Sequence, residues 1–309
     1  MSLVRVAAVD CGTNAVRLLV ADVTADGRLI ELVRLMRIVR LGEGVDRTGQ
    51  FSPAALDRTF TAIDEYAGVL ATHQPTRIRF VATSATRDAS NRDAFVAGVR
   101  ARLGVDPEVI SGIEEAALSF SGALLGLPSG RAETPALVVD IGGGSTEFVI
   151  GVDAPEQSRS VDVGCVRMTE RHLHGDPPTL EEVARARADI EAAVDSAKQV
   201  VPFERARSLV GLAGTVTTVA AMALDLPGYD ASILHGRVIS ADQVRVATSR
   251  LLAMTRSERA ALPYMHPGRV DVIAGGAMVL DAIVGAGGFA SVVVSETDIL
   301  DGIVYSLGR

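Results

Sequence analysis

The chain has 309 residues, 48% of them hydrophobic, and a formal net charge of −8. The hydrophobic content predicts a globular protein with a substantial core and excludes a disordered chain. The acidic balance argues against a general nucleic-acid binder, and apolar runs such as "ASVVVS" are too short to cross a bilayer. We therefore expect neither nucleic acid nor membrane as a partner.

Cysteine and lysine usage narrows the class of protein further. The two cysteines, Cys11 and Cys165, form no metal-like or redox pair, which predicts a reducing cytoplasmic location. Lys198 is the only lysine, so the pattern G-x-x-x-x-G-K-[ST] cannot occur. This excludes a P-loop nucleotide site.

The first half of the chain begins with three consecutive strands. A helix follows, with Ser52 as its N-cap and Pro53 at the first helical position. The predicted elements are strands at 3–10, 16–23 and 28–40, a helix at 52–72, a strand at 77–82, a helix at 91–103 and a short strand ending at Ser111.

The second half repeats this order. Its long helix carries a capping box, Thr179 with Glu182. The predicted elements are strands at 136–140, 146–152 and 158–164, a helix at 179–200, a strand at 207–212 that enters a turn and a helix, further helices near 241–254, 268–285 and 297–307, and the buried strand "ASVVVS".

Two segments suggest an internal duplication. "AAVDCGTNAVRLLVAD" and "LVVDIGGGSTEFVIGV" align Asp10 with Asp140 and Gly12 with Gly142. A chance match of two "VD-x-G" strings is the alternative, but the order of the elements repeats as well. We predict two similar α/β domains, 1–120 and 121–309, facing each other across a cleft with both turns at its floor. For the last helix, about 297–308, packing back on the first domain is an alternative.

The glycine turn of the second half predicts a phosphate site. Gly142, Gly143 and Gly144 lack Cβ atoms, so an anion can approach their amides, and Ser145 adds a hydroxyl donor. Asp140, at the strand end, is placed to hold Mg²⁺. A tight hairpin would need only one glycine, so three in sequence favour phosphate.

Three other segments carry candidate anion-binding groups. The arginine of "ATSATRD" would clamp phosphate, although alone it would more often be a solvated loop residue. A helix N-terminus at "GLAGTVTT" favours anions electrostatically. The candidates are Thr13, Asn14 and Arg17 in the first turn, Arg87, and Gly214 with Thr215; Asp10 is a further candidate metal ligand.

Two pairs of residues keep more than one interpretation on the residues alone. Glu114 and Glu115 begin a helix, where the helix dipole already favours carboxylates, but one of them could act on an attacking water if the cleft prediction holds. Arg269 and Asp271 face either the cleft or solvent.

The chain resembles the exopolyphosphatase / guanosine pentaphosphate phosphohydrolase family of the actin–hexokinase superfamily. The resemblance runs from "VDCGTNAVRLLV" through "ATSATRDASN", "ISGIEEA" and "VVDIGGGSTEFVIG" to "GLAGTVTT" and "SETDILDGI". It implies two ribonuclease-H-like domains of the actin-like ATPase type. It also implies catalysis by Glu115, metal and phosphate binding by Asp140 and Glu147, and a phosphate loop from Gly142 to Ser145. The first turn departs from the family, because Ala15 replaces a hydroxyl residue.

The resemblance implies Mg²⁺-dependent release of orthophosphate from inorganic polyphosphate, with Mn²⁺ as a substitute metal and a homodimer as the assembly. The chain looks like the short two-domain form, for which short polyphosphate chains are expected. Guanosine pentaphosphate (pppGpp) is the alternative substrate. An actin-like ATP-binding switch stays open because the paired glycines of "VIAGGAMV" could seat an adenosine.

Overall fold

The computed structural model describes residues 3–308, which divide into two compact units. The first contains residues 3–122 and 299–308, and the second contains 123–298. Each has one mixed β-sheet with helices packed against it. The predicted α/β class with two units is confirmed. None of the helices in the described range is long and apolar enough to cross a membrane.

The first unit is built on a five-stranded sheet of order β3-β2-β1-β4-β5. The first three strands form an antiparallel meander, whereas β1, β4 and β5 are parallel. Its elements are β1 Leu3–Cys11, β2 Ala15–Thr24, β3 Leu29–Ile38, α1 Val45–Thr48, α2 Pro53–His73, β4 Arg77–Ala82, α3 Ser84–Asp88, α4 Arg92–Leu103, β5 Glu108–Val109 and α5 Gly112–Gly126, whose end lies in the second unit, with α13 Ile299–Leu307 closing the chain.

Both faces of the central strand β1 are buried, because its alternate residues enter different cores. Ala7 and Val9 pack in the core that also holds Tyr66 of α2. Val6 and Ala8 pack instead in the core that holds Ile303 of α13. The near-continuous apolar run of β1 therefore fixes the central strand between two helical layers.

The second unit repeats the arrangement with one strand added. Its sheet has the order β10-β11-β9-β6-β7-β8, so β8-β7-β6-β9-β11 matches the order of the first sheet. Its elements are β6 Ala136–Ile141, β7 Thr146–Gly151, β8 Pro155–Val161, α6 Cys165–His172, α7 Leu180–Lys198, β9 Ser208–Leu212, α8 Ala213–Ala223, α9 Ala231–Leu234, β10 Val238–Ser240, α10 Ala241–Ala253, α11 Arg256–Ala260, α12 Ile273–Gly287 and β11 Ser291–Val294.

The helix starts read from the sequence agree with the observed caps. The Ser52 hydroxyl accepts a hydrogen bond from the amide of Ala55, with Pro53 at the first helical position of α2. Thr179 and Glu182 form the complete capping box of α7. Local side chains determine both helix starts, so the sequence alone was sufficient to locate them.

Two predicted elements had the wrong boundaries, and one helix was missed. The third strand of the second half runs from Pro155 to Val161 rather than 158–164, and α6 then begins at Cys165. The helix expected from 268 begins at Ile273, since 267–269 form a separate 3₁₀ turn. The helix α6 was not predicted, because its N-cap, Gly164, makes no side-chain capping bond.

Close helix packing in the first unit gives a stability test. A Cβ added at Gly302 of α13 would lie 2.0 Å from the carbonyl oxygen of Leu118 in α5, whereas one added at Gly68 of α2 would meet nothing within 4 Å. We expect Gly302→Ala to lower the free energy of unfolding by about 1–3 kcal/mol or more. Gly68→Ala, the matched control, should raise it by roughly 0.5–1 kcal/mol. Urea unfolding followed by circular dichroism measures both, and equal effects would contradict the packing argument.

Candidate active site

The glycine turn joins β6 to β7 at the carboxyl end of β6. The amide of Gly142 donates to the carbonyl of Ser145 over 3.1 Å and closes the turn. Neighbouring β6, β9 and β11 are parallel, so the segments that follow these strands lie at the same edge of the sheet. Ligands bind at this edge in open α/β sheets.

Helix α6 holds the carbonyl groups of the turn. The amides of Cys165 and Val166 donate to the carbonyls of Gly142 and Gly143, at 3.0 and 2.9 Å. The guanidinium Nε of Arg167 donates to the carbonyl of Gly144 over 2.6 Å. The remote backbone of the turn thus provides the cap that α6 lacks in its own sequence.

This capping fixes where the turn's amides point. In a trans peptide the N–H is directed opposite to the C=O. Since three successive carbonyls are directed at α6, the amides of Gly143, Gly144 and Ser145 are directed away from it. Within the described chain these amides donate to no acceptor. Successive amides on one side of a turn are typical of an anion-binding nest, and we call Gly143–Ser145 the nest.

Gly164 makes the approach of α6 to the turn sterically feasible. A Cβ at this position would lie 2.5 Å from the carbonyl oxygen of Gly143 and 2.8 Å from that of Gly142. Both neighbours are backbone atoms held by hydrogen bonds, so neither can move cheaply. Any side chain at residue 164 would separate α6 from the nest.

Two buried carboxylates lie next to the nest. Asp140 and Glu147 are directly opposite each other in the β6–β7 pairing, and their residues are 7% and 1% exposed. Opposite residues of an antiparallel pair share one face of the sheet, with Cβ atoms roughly 5 Å apart. The hydroxyl of Ser160 donates to Glu147 Oε1 over 2.7 Å and orients that carboxylate.

The first turn has the same backbone closure but a different pair of charges. The amide of Gly12 donates to the carbonyl of Ala15 over 2.9 Å. Opposite Asp10 lies Arg17, whose Nε and Nη2 donate to Asp10 Oδ2 over 3.0 and 2.6 Å. The Asp10 carboxylate, a candidate metal ligand by sequence, is thus an ion-pair partner of Arg17.

Thr13 and Asn14 hold the segment that follows β3. The carbonyl of Thr13 accepts from the amide of Gly42, and the carbonyl of Asn14 accepts from the amides of Val39 and Arg40. By the trans-peptide argument, the amide of Asn14 is directed away from that segment. The first turn therefore also presents backbone N–H toward its open side.

The structure brings Arg87 and Glu115 together. Arg87 Nη1 donates to Glu115 Oε2 over 2.6 Å and to the carbonyl of Ile110 over 3.1 Å. The Glu115 side chain is 11% exposed, whereas that of Glu114 is 45% exposed and pairs with Arg79. Arg87 is therefore no solvated loop residue, and the two adjacent glutamates have different surroundings.

The N-terminus of α8 is covered by an arginine. A Cβ at Gly214 would lie 2.2 Å from the guanidinium carbon of Arg269, whose Nη1 donates to Thr218 Oγ1 over 3.2 Å. Ala213 has φ 65°, a left-handed conformation that is strained for a residue with a side chain. The sequence left the orientation of Arg269 and Asp271 open. Arg269 faces this turn, whereas Asp271 pairs with Arg256.

Three further residues at the edge of the second sheet were not identified from the sequence. Arg167 belongs to the unpredicted helix, while the hydroxyl of Tyr229 lies 2.7 Å from Glu296 Oε1 and 3.0 Å from Thr217 Oγ1. Burial raises the pKa of Glu296 above its ordinary value, and it also raises that of Tyr229. Glu296 follows β11 within "SETDILDGI", which was the one available signal.

The paired glycines of "VIAGGAMV" serve helix packing. Gly275 and Gly276 lie inside α12, where added Cβ atoms would meet Thr169 Oγ1 at 2.7 Å and Thr215 Oγ1 at 2.5 Å. Both positions are buried against α6 and the start of α8. Helix packing therefore explains why both residues are glycine, and no bound adenosine is needed to account for them.

Known proteins resemble this chain over nearly its whole length. The sequence profile described as the Ppx/GppA phosphatase family matches residues 19–308. A Mycobacterium tuberculosis protein named Exopolyphosphatase 2 is 52% identical, with 99% of each chain covered.

Solved structures also resemble this chain over nearly its whole length. The crystal structure of an exopolyphosphatase-like protein has a TM-score of 0.95 at 43% identity, covering 99% of both chains. That of an exopolyphosphatase from Cytophaga hutchinsonii has a TM-score of 0.86 at 27% identity, covering 98% of this chain and 97% of the other.

The role of Gly164 is testable without a ligand. We expect Gly164→Ala to displace α6 and to speed amide hydrogen exchange at Cys165 and Val166 by about 10-fold or more, equivalent to about 1.4 kcal/mol of local opening. Gly285→Ala in α12 is the control, because an added Cβ there meets nothing within 4 Å. Unchanged protection in the Gly164 variant would show that α6 does not depend on this glycine.

Proposed function

The chain belongs to the Ppx/GppA phosphatase family, and from this we propose that it is an exopolyphosphatase, hydrolysing the terminal phosphoanhydride bond of inorganic polyphosphate. The observation that carries the proposal is the nest at Gly143–Ser145, whose three amides are held facing one way by α6. A terminal phosphate offers three oxygens to such donors. The enzyme class is therefore a phosphoanhydride hydrolase that releases orthophosphate.

In the proposed mechanism, positioning and charge neutralisation do most of the work. The nest amides orient the terminal phosphate, and Thr13, Asn14, Arg17, Gly214 and Thr215 are proposed as further phosphate-binding residues. Arg87, whose planar guanidinium suits phosphate oxygens, clamps the anion.

Glu115 is the proposed general base. Its carboxylate takes a proton from a water molecule as the water oxygen bonds to the terminal phosphorus. The bond from that phosphorus to the bridging oxygen breaks, and the shortened chain leaves with the bonding electrons. The buried position beside Arg87 keeps the Glu115 carboxylate oriented, whereas the Glu114 side chain is 45% exposed.

The carboxylates of Asp140 and Glu147 suit a divalent metal. Mg²⁺ prefers oxygen ligands and is commonly held by one or two carboxylates, with water and phosphate oxygens completing its shell. Within residues 3–308 no group of three or more His, Cys, Asp or Glu side chains forms a metal cage. A two-carboxylate donor set fits Mg²⁺, with Mn²⁺ as a substitute, and the metal supplies neutralisation of phosphate charge. Asp10 is the further proposed ligand: Arg17 donates to its Oδ2, whereas its Oδ1 is buried and accepts no hydrogen bond.

The remaining assignments are proposals of finer detail. We propose short polyphosphates as preferred substrates, pppGpp as the alternative and a homodimer as the assembly. Cys11 and Cys165 are buried free thiols, and this supports a reducing cytoplasmic location.

The catalytic assignment is tested by a matched pair of variants. Glu115→Gln should lower kcat on polyphosphate by about 10²- to 10⁴-fold, because the amide cannot accept the proton. Glu114→Gln, its neighbour, should retain near-wild-type kcat. Phosphate release is measured on polyphosphates of defined length, pppGpp and ATP in parallel. Full activity of the Glu115 variant would refute the base, and activity on ATP alone would refute the exopolyphosphatase.

The metal assignment is tested by removal and titration. Chelation should abolish phosphate release and added Mg²⁺ should restore it. Glu147→Gln should raise the Mg²⁺ concentration for half-maximal activity by about 10- to 100-fold, since it removes one carboxylate from the donor set. Asp162→Asn, at an exposed carboxylate just after β8, is the control and should leave this concentration unchanged. An unshifted Mg²⁺ requirement in the Glu147 variant would contradict its role.

A further inference from the structure

Tyr229 is oriented in the reverse of the usual way for an exposed tyrosine. Its hydroxyl lies 2.7 Å from Glu296 Oε1 and 3.0 Å from Thr217 Oγ1, and burial raises its pKa above the ordinary value. The residue is nevertheless 42% exposed. An amphipathic side chain ordinarily keeps its polar tip in water and its apolar body buried. Here the hydroxyl is turned inward, so the exposed part of the side chain is its ring.

The ring of Tyr229 is held from two directions. Thr217 belongs to α8, whereas Glu296 follows β11, so the hydroxyl joins two separate elements to the loop at 224–230. Glu296 is itself fixed, because its amide donates to His235 Nδ1 over 3.2 Å. A side chain that is already ordered loses little conformational freedom when a ligand binds to it. The loop therefore presents a preorganised aromatic surface.

This ring lies at one end of a row of groups along the edge of the second sheet. The strands β11, β9 and β6 are neighbours and parallel, so the segments that follow them lie side by side. Glu296, which holds the Tyr229 hydroxyl, follows β11. The guanidinium of Arg269 covers Gly214 after β9, and the nest follows β6. Neighbouring strands are about 4.8 Å apart, which places β11 about 10 Å from β6.

The character of the groups changes along this row. The nest amides and the Arg269 guanidinium are hydrogen-bond donors that suit phosphate oxygens. At β11 the groups are the Glu296 carboxylate, which repels phosphate when it is ionised, and the apolar ring of Tyr229. The row therefore suits a ligand that has phosphates at one end and an uncharged planar group at the other.

We propose that Tyr229 is a specificity-determining residue, which stacks on the base of a nucleoside polyphosphate whose terminal phosphate lies in the nest. This rests on the proposed function, which puts the terminal phosphate in the nest and names pppGpp as the alternative substrate. Inorganic polyphosphate has no planar ring, so it gains nothing from Tyr229. A nucleotide gains base–aromatic stacking, and its inner phosphates pass Arg269.

A single tryptophan reports the stacking directly. The chain contains no tryptophan, so Tyr229→Trp introduces one fluorophore and keeps an aromatic ring at this position. GTP and inorganic tripolyphosphate carry the same three phosphates and differ in the nucleoside. In stopped-flow mixing, before turnover, GTP should quench the tryptophan fluorescence and tripolyphosphate should leave it unchanged. Equal signals with the two ligands, or no signal with GTP, would overturn the proposal.

Steady-state kinetics separate stacking from a structural role. Tyr229→Ala should lower kcat/KM on pppGpp by about 5- to 150-fold, the range expected for loss of one stacked base. The same variant should keep the wild-type kcat/KM on polyphosphate. Tyr229→Phe is the matched control, because it loses the hydroxyl and keeps the ring, and it should retain most of the activity on pppGpp. A side chain that only anchors its loop would change both substrates alike.

The outcomes distinguish this proposal from the proposed function. Full activity of folded Tyr229→Ala on pppGpp, equal losses on both substrates, or a wild-type protein inactive on pppGpp would each overturn the role of Tyr229. Circular dichroism melting identifies folded variants, and the fluorescence of Tyr229→Trp decides the point if Tyr229→Ala unfolds. Wild-type protein that releases phosphate from pppGpp and none from polyphosphate would instead refute the exopolyphosphatase and leave the role of Tyr229 standing.

Discussion

The site depends on one constraint, namely that three successive peptide groups at the end of β6 must all present N–H to the same side. Such an arrangement is unstable unless the opposed carbonyls find donors, since unpaired buried carbonyls are costly. Helix α6 supplies those donors through its own uncapped first turn and Arg167. The amides at the start of the helix and the carbonyls of the turn satisfy each other, which leaves the nest amides directed away from α6.

The duplicated hairpin explains why two similar turns have different chemistry. Both units share the strand order and the hydrogen bond that closes the turn, so the backbone of the two turns is arranged in the same way. In the first unit the residues after β3 donate to the turn carbonyls, and in the second unit α6 does so. Side-chain charge is then the main variable, as the replacement of Arg17 by Glu147 at the equivalent position illustrates.

Features determined by neighbouring residues were predictable, and features determined by remote backbone were not. The starts of α2 and α7 followed from Ser52 and Thr179, because an N-cap bonds within its own first turn. The start of α6 did not, because its partners lie more than twenty residues earlier in the chain. Likewise, sequence proposed both Arg87 and Glu115, but their hydrogen bond depends on how α3 and α5 pack around Ile110.

Glycines in the second unit show that one sequence pattern can have two different structural causes. From the sequence, paired glycines suggest a ligand, and at Gly143–Gly144 the outward amides support that interpretation. At Gly275 and Gly276 the same pattern has another cause, since α12 must approach α6 and α8 closely enough for Thr169 and Thr215 to occupy the space of a Cβ. That close packing holds α6 in place, and α6 in turn orients the nest. Glycines that serve helix packing are thus needed to hold the glycines that we propose to bind phosphate.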